Sequence, residues 1–202
     1  MSLPHLLLDI DGVLIPFPDA DHQGPPTHVR HLVVPTGHDP AEPVPIWLNP
    51  HHGTLINDLL DARVLHPVWC TSWRHDANTH VGPRLGLPDL DVIDLPRTAI
   101  TTSHPHGYLW KRDHVSRWAA DDPLAWIDDD FTPLDHEWAA HRTATTAPTL
   151  LVQPDPHIGL TPEHLDLVLA WAAGIPIQSH VDPAATRSMN AAPQELEFRP
   201  AA

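Results

Sequence analysis

The residues with the clearest chemical potential lie at the end of an apolar run near the start of the chain. Asp9 and Asp11 follow Leu6–Leu8, and Gly12 comes directly after them. Residues two apart in a strand point to the same side, so both carboxylates would project together from the strand's end. Two like charges held that close are costly unless a cation or a shared proton relieves the repulsion. Because Gly12 permits a sharp turn, the segment is typical of a site at the carboxyl edge of an α/β sheet, and it indicates an enzyme.

Further along the chain, other segments end in groups that could act with these acids. Val68–Ser72 is an apolar strand that ends in hydroxyls, Lys111 starts a predicted helix, and Trp126–Asp130 is a strand that ends in carboxylates. In residue type and in order, the set resembles the motifs of the haloacid dehalogenase-like (HAD) hydrolase superfamily. The resemblance covers most of residues 3–155 and is to a small-cap or capless member of the phosphatase type.

The resemblance implies a role for each of these residues, and their chemistry agrees with it. Asp9 would be the nucleophile that attacks phosphorus. Asp11 would protonate the leaving oxygen and then take a proton from the water that hydrolyses the aspartyl-phosphate. Thr71 would donate a hydrogen bond to a phosphoryl oxygen, with Ser72 as the alternative or as a helper. Lys111 would balance negative charge on the nucleophile and on the phosphoryl group.

A magnesium ion is the expected cofactor. Mg²⁺ prefers carboxylate and carbonyl oxygens, and the resemblance implies that Asp9, the backbone carbonyl of Asp11, and Asp128 or Asp129 would supply them. Which of the two late acids contacts the metal directly is left open. Gly12 is counted with the substrate-binding residues.

Several neighbouring residues have simpler interpretations. Thr71 could serve only to cap the helix that follows it. Arg112 competes with Lys111, which we favour because an ammonium group is a compact point charge. Asp130 and Asp135 are interpreted as acids at helix N-termini.

Two other groups of side chains are candidates for a metal site and for the mouth of the active site. His51-His52 and His104-Pro105-His106 are interpreted as solvated loop histidines rather than as ligands of a transition metal. Trp73, His75 and Asn78 follow the second motif and could line the mouth of the site, although core packing explains Trp73 equally well.

Asp11 also narrows the expected reaction. Members of the resembled family that remove a halide lack a second acid there, because a halide leaves without a proton. Hydrolysis of a small phosphomonoester is therefore expected, and a nucleotide is a specific variant because Cys70–Ser72 resembles the deoxyribonucleotidase branch. The alternatives are a phosphotransferase or a nucleic-acid-end phosphatase, and a non-catalytic binding protein that keeps the fold.

Apolar runs alternate with amphipathic segments along the chain, which predicts an α/β fold with a central parallel sheet and right-handed crossovers. The resemblance implies a Rossmann-like three-layer α/β/α sandwich with the first strand in the middle, beside the second and fourth. Thr161 and Gly174 bound the last predicted helix, and its expected buried stripe is Leu165, Val168, Leu169 and Ala172. The predicted strands are Leu3–Asp9, His66–Thr71, Asp91–Leu95, Leu124–Asp128 and Thr149–Gln153.

The alternation is interrupted by a Pro-rich insertion. Residues 16–50 contain two apolar pieces, Val29–Val34 and Val44–Leu48, around a turn at Thr36–Asp39. This pattern predicts a small β-hairpin flap after the first strand, with an irregular surface loop as the alternative. The expected organisation is a HAD-like hydrolase domain over residues 1–175 and a Pro/Ala-rich C-terminal tail over residues 176–202.

Composition limits the classes of partner and compartment. The formal net charge is −15, which makes nucleic acid an unlikely general electrostatic partner. The single cysteine, Cys70, fits a reducing cytoplasm. No apolar stretch approaches the roughly 20 residues that span a bilayer, so no membrane partner is expected. From the expected reaction, the partner is a small phosphorylated substrate.

Overall fold

The computed structural model describes residues 3–18, 24–96 and 104–175. The predicted tail at 176–202 lies outside the described residues, as does the 19–23 part of the insertion. The strands are β1 (His5–Leu8), β2 (Val29–Val33), β3 (Val44–Leu48), β4 (His66–Trp69), β5 (Asp91–Val92), β6 (Leu124–Ile127) and β7 (Thr149–Val152). The α-helices are α1 (Pro50–Ala62), α2 (Gly82–Leu85), α3 (Arg112–Ala119), α4 (Pro133–Thr145) and α5 (Pro162–Ala173), and a π-helical turn (Ala77–Val81) precedes α2.

A parallel sheet of five strands forms the centre of the fold, in the order β5-β4-β1-β6-β7. Strand β1 lies between β4 and β6, with Leu8 opposite Trp69 on one side and Ile127 on the other. This arrangement confirms the α/β class, the parallel sheet and the central place of the first strand. Each of these strands ends one to three residues earlier than predicted.

Alternate side chains of β1 enter two separate cores, one on each face of the sheet, as the strand period requires. Leu6 and Leu8 belong to the core that also contains buried residues of α1 and α5. Leu7 belongs to the opposite core, with Val115 of α3. The two cores give the three layers expected of a Rossmann-like sandwich.

The insertion after β1 contains the predicted β-hairpin flap. Strands β2 and β3 pair antiparallel, with Val33 opposite Val44. Gly37 has a φ of +92° in the connecting turn. Beside it, Thr36 donates to Asp76 from its backbone N–H at 2.8 Å and from its hydroxyl at 2.7 Å. The flap is therefore tied to the segment that follows β4.

Helix α5 begins and ends where the sequence predicts but buries a narrower stripe. Thr161 is its N-cap, paired with His164 in a capping box, and Gly174 is its C-cap. Leu165 and Val168 are buried, whereas Leu169 is 37% exposed, so its predicted place in the core is wrong. Ala172 is partly buried and packs against the same core as Leu165 and Val168. Across the described ranges, no helix has the length and apolarity needed to cross a membrane.

Candidate active site

Three chain segments deliver polar residues to one edge of the sheet, immediately after adjacent strands. The backbone N–H of Asp9 donates to Ile127, that of Cys70 to Leu8 and that of Asp128 to the last residue of β7, at 3.1, 2.8 and 3.2 Å. The ladder thus extends one residue beyond each strand before the chain turns. Because β4, β1 and β6 are neighbours, the residues that follow them are brought together.

The carboxylate of Asp9 is held at both oxygens. Its Oδ1 accepts a hydrogen bond from the backbone N–H of Ile10 at 2.8 Å. Its Oδ2 accepts one from Nζ of Lys111. Asp9 is only 4% exposed, so these contacts set the orientation of a nearly buried anion.

Lys111 compensates two carboxylates from the start of α3. Lys111 is 3% exposed, and its ammonium group also donates to Oδ2 of Asp128 at 2.8 Å. Burial lowers the pKa of Lys111, but the carboxylates of Asp128 and Asp9 raise it by more, so the net shift is upward and the group stays charged. Arg112 instead donates to the backbone of Leu134 at 3.0 Å. The geometry therefore favours Lys111 over Arg112 as the cation of the site.

Asp11 lies beside Asp9 and is engaged by a tryptophan. Nε1 of Trp73 is 3.1 Å from both carboxylate oxygens of Asp11. The hydroxyl of Ser72 lies 3.4 Å from Oδ2. Burial, and then the negative charge of Asp9, raise the pKa of Asp11 to about 6, against the opposing effect of the indole. A carboxyl with a pKa near neutrality suits a group that both gives and takes a proton.

The acids after β1 and β6 form a group that could hold a metal ion. Asp9, Asp128 and Asp129 each place one carboxylate oxygen within 4.8 Å of the others. Burial raises the pKa of Asp128 to about 8 and that of Asp129 to about 6, with Asp9 adding to both. Both late acids belong to the group, so the choice between them stays open, and Asp11 would contribute its backbone carbonyl as predicted.

The donor set fits a hard divalent cation. Its members are all oxygens, which Mg²⁺ prefers. A cation would offset both the burial and the mutual repulsion that raise the carboxyl pKa values. Gly12 has a φ of +70°, and a Cβ there would overlap the carboxylate of Asp129. The chain thus leaves space for an acid at this point, next to Asp9.

The two candidate phosphate-binding hydroxyls have different surroundings. Thr71 is fully buried, and its Oγ1 accepts from the backbone N–H of Trp73 at 3.3 Å, so it caps the turn after β4 and not a helix. Ser72 is exposed and points to Asp11. Phosphate binding by either hydroxyl stays a prediction.

Other residues near the site have structural roles. Asp135 begins α4 in a capping box with Thr132, as predicted for a helix N-terminal acid. It also accepts from the backbone N–H of Leu109 at 3.0 Å, which no sequence signal indicates. Asn78 accepts from Nε1 of Trp69 at 2.7 Å and so supports the turn after β4 instead of lining the mouth.

The histidine pair His51-His52 departs from its predicted surroundings. Both residues lie in α1 instead of a loop, and His52 is 2% exposed. The pair lies there because Asn49 caps the helix and Pro50 starts it. Nε2 of His52 donates to the backbone carbonyl of Leu160 at 2.9 Å, so this histidine joins α1 to the segment before α5.

The comparisons with known proteins give one strong finding. No curated protein and no solved structure matches the chain significantly. One family model covers residues 5–165, from the start of β1 to within α5, and so includes every element that carries the candidate site. The chain belongs to the family described as the HAD domain in Swiss Army Knife RNA repair proteins.

Proposed function

We propose that the protein is a Mg²⁺-dependent phosphatase that hydrolyses a phosphomonoester through an aspartyl-phosphate on Asp9. The observation that carries this proposal is the fixed carboxylate of Asp9, which contacts Lys111 and has the second acid Asp11 beside it. HAD domains are generally hydrolases, and this membership supports the reaction class. The acid pair supplies both the nucleophile and the proton that a phosphate ester requires.

In the first step, an oxygen of Asp9 forms a bond to phosphorus while the bond from phosphorus to the ester oxygen breaks. Asp11 transfers its proton to the departing oxygen, so the product leaves as an alcohol. Lys111 offsets negative charge on Asp9 and on the phosphoryl oxygens, because its ammonium group is fixed within the site.

In the second step, water attacks the phosphorus of the aspartyl-phosphate and the bond from phosphorus to the Asp9 oxygen breaks. Asp11, now ionised, takes the proton from that water. Inorganic phosphate is released, and both carboxyl groups return to their starting states. One residue thus acts as acid and then as base, for which the raised pKa of Asp11 is suited.

Asp9, Asp128 and Asp129 would hold the magnesium ion, together with the backbone carbonyl of Asp11. HAD domains typically use Mg²⁺, and the carboxylate group is compatible with it. When bound, the ion supplies positive charge that stabilises the phosphoryl oxygens as negative charge develops on them.

The test is hydrolysis of p-nitrophenyl phosphate with and without Mg²⁺. Asp9→Asn should reduce turnover to background, because the amide cannot form the covalent intermediate. Asp58→Asn, a charge-matched change at an exposed residue of α1, should leave turnover unchanged. Turnover that persists in Asp9→Asn, or that does not require a divalent cation, would contradict the proposed mechanism.

The family description favours a narrower candidate, in which the phosphomonoester is the terminal phosphate of an RNA strand. The net charge of −15 opposes extended contact with a polyanion. We therefore expect such a substrate to be engaged at its end only. Few phosphates beyond the terminal one would then be neutralised by the protein.

This candidate is tested with oligoribonucleotides that carry a 5′ or a 3′ phosphate, compared with nucleoside monophosphates and sugar phosphates. An RNA-end phosphatase should have the higher kcat/KM on the oligonucleotides. The dependence of log(kcat/KM) on log salt should be shallow, with a slope of about −0.7 to −1.4 if one or two phosphates are contacted. A clear preference for the small phosphates would exclude the RNA end as substrate and leave the reaction class intact.

A further inference from the structure

The side chain of Trp73 makes a contact that the proposed mechanism does not require by itself. Its indole Nε1 is 3.1 Å from both oxygens of the Asp11 carboxylate. A single N–H shared between two carboxylate oxygens restrains the direction in which that carboxylate points. The hydroxyl of Ser72, at 3.4 Å from one oxygen, is too distant to set the orientation alone.

Trp73 is itself held in place. It packs against the core that contains the buried residues of α1 and of the flap strands. Its backbone N–H donates to the hydroxyl of Thr71 at the turn after β4. The side chain is partly exposed, so core packing alone does not account for it. An indole with its ring against the core and its N–H on an acid is well suited to orient that acid.

We propose that Trp73 is a positioning residue for Asp11, aligning its carboxyl group with the oxygen that leaves in the first step. The inference rests on the proposed function and deepens it. Without the indole N–H, the Asp11 side chain would point in several directions, and only some of them would deliver the proton. The cost should therefore fall on the step in which the leaving oxygen needs that proton.

Leaving-group dependence distinguishes this role from structural support. p-Nitrophenolate leaves without protonation, whereas the alkoxide of an alkyl phosphate such as glycerol 3-phosphate needs the proton. Trp73→Phe keeps an aromatic ring and removes the N–H. We expect it to lower kcat/KM on glycerol 3-phosphate by about 10- to 100-fold, with less than about threefold loss on p-nitrophenyl phosphate.

Trp69→Phe provides the matched control, because it removes the indole N–H that contacts Asn78 instead of Asp11. It should affect both substrates equally, whatever its effect on the free energy of unfolding. Ser72→Ala removes the weaker contact and should give a smaller loss with the same selectivity for the alkyl phosphate. Equal losses on both substrates for Trp73→Phe would overturn the inference.

A measurement without turnover tests the contact directly. In the ¹H–¹⁵N spectrum, the indole resonance of Trp73 is identified by its loss in Trp73→Phe. In Asp11→Ala it should move upfield and exchange faster with solvent, while the indole resonance of Trp69 stays in place. An unmoved Trp73 resonance would overturn the inference even if the enzyme is active. Failure of the wild type to hydrolyse p-nitrophenyl phosphate, glycerol 3-phosphate and the phosphorylated oligoribonucleotides would overturn the proposed function, and the positioning role with it.

Discussion

At the scale of single residues, the neighbouring carboxylate of Asp129 requires a glycine at position 12. Its φ of +70° is a left-handed conformation, and a Cβ would overlap the carboxylate of Asp129. We expect Gly12→Ala to displace Asp129 and to reduce kcat at saturating substrate by about 100-fold, as a misplacement of about 1 Å can. Steady-state kinetics across a Mg²⁺ titration would measure the loss, together with a higher Mg²⁺ requirement.

Gly86→Ala is the control for Gly12→Ala. Gly86 has the same φ of +70°, but a Cβ there would have no heavy atom within 4 Å. Gly86→Ala should lower the free energy of unfolding by about 1–2 kcal/mol, because alanine is strained in the left-handed conformation. It should leave kcat unchanged. Equal kinetic losses in both variants would mean that backbone strain, not the contact with Asp129, explains the effect.

Lys111 gives a second prediction at this scale. Lys111→Met removes the cation that contacts Asp9 and Asp128 and leaves two buried carboxylates uncompensated. We expect kcat to fall by about 10³-fold. The melting temperature without Mg²⁺ should also fall, because breaking a buried ion pair costs about 3–5 kcal/mol.

Arg112→Met is the neighbouring control, since Arg112 contacts Leu134 and Asp135 instead of the acidic group. Its kcat should stay within about threefold of the wild type. If Arg112→Met were the more damaging change, the assignment of Lys111 as the cation of the site would be wrong.

At the scale of elements, Asp135 connects the start of α4 to the segment that carries Lys111. Its carboxylate caps α4 and also accepts the backbone N–H of Leu109 at 3.0 Å. Asp135→Asn should lower the free energy of unfolding by about 1–3 kcal/mol, because one donor loses its charged acceptor. It should also lower kcat and change KM by a smaller factor, because the position of Lys111 is altered. Denaturant unfolding and kinetics measure the two effects.

Asp113→Asn is the comparison for this change. Asp113 is exposed in the first turn of α3 and accepts a hydrogen bond from the hydroxyl of Tyr108. Its substitution should change the free energy of unfolding by less than about 0.5 kcal/mol. A comparable loss of kcat in Asp113→Asn would show that general charge near α3, and not the contact with Leu109, is responsible.

The parts of the fold that local pattern determines could be predicted from the sequence. Continuous apolar runs predicted the strands of the central sheet, and Thr161, Pro162 and Gly174 predicted the bounds of α5. The hairpin flap was predicted on weaker grounds and is present. The exposure of Leu169 was missed, because helical periodicity gives the direction of an apolar face but not how much of it the sheet covers.

The sequence predicted which side chains meet at this edge of the sheet, but not the contacts that they make there. Strand-end residues indicated Asp9, Asp11 and the late acids, because parallel strands bring their carboxyl ends together. The indole of Trp73 on Asp11 could not be predicted, since the orientation of a side chain in a turn depends on packing from other elements. The same holds for the contact of Asp135 with Leu109, which are 26 residues apart.

At the scale of the whole molecule, His52 makes stability depend on pH. Burial, and then nearby His28, lower its pKa from 6.5 to about 4. Between about pH 4 and pH 6.5, His52 is therefore protonated in the unfolded chain but neutral in the folded protein. Stability is fully present above pH 6.5 and falls as the pH drops toward 4, by roughly 3 kcal/mol if this group acts alone.

Denaturant unfolding at a series of pH values measures this slope. His52→Gln keeps an N–H donor for the carbonyl of Leu160 and does not titrate, so it should flatten the slope between pH 6.5 and 4. His51→Gln, at the exposed neighbouring position, should leave the slope as in the wild type. An unchanged slope in His52→Gln would assign the acid sensitivity to other groups.

Cys70 lies fully buried behind the site, directly after β4, and it is the single cysteine of the chain. Burial raises the pKa of its thiol well above the ordinary value, so the folded protein offers a thiol reagent almost no thiolate. A thiol reagent can therefore label Cys70 only when the core opens, and the labelling rate reports how often it opens. A molecule that binds only the folded site lowers the labelling rate in proportion to its occupancy of that site. The native chain thus carries its own reporter of ligand binding, one that needs neither turnover nor an added label.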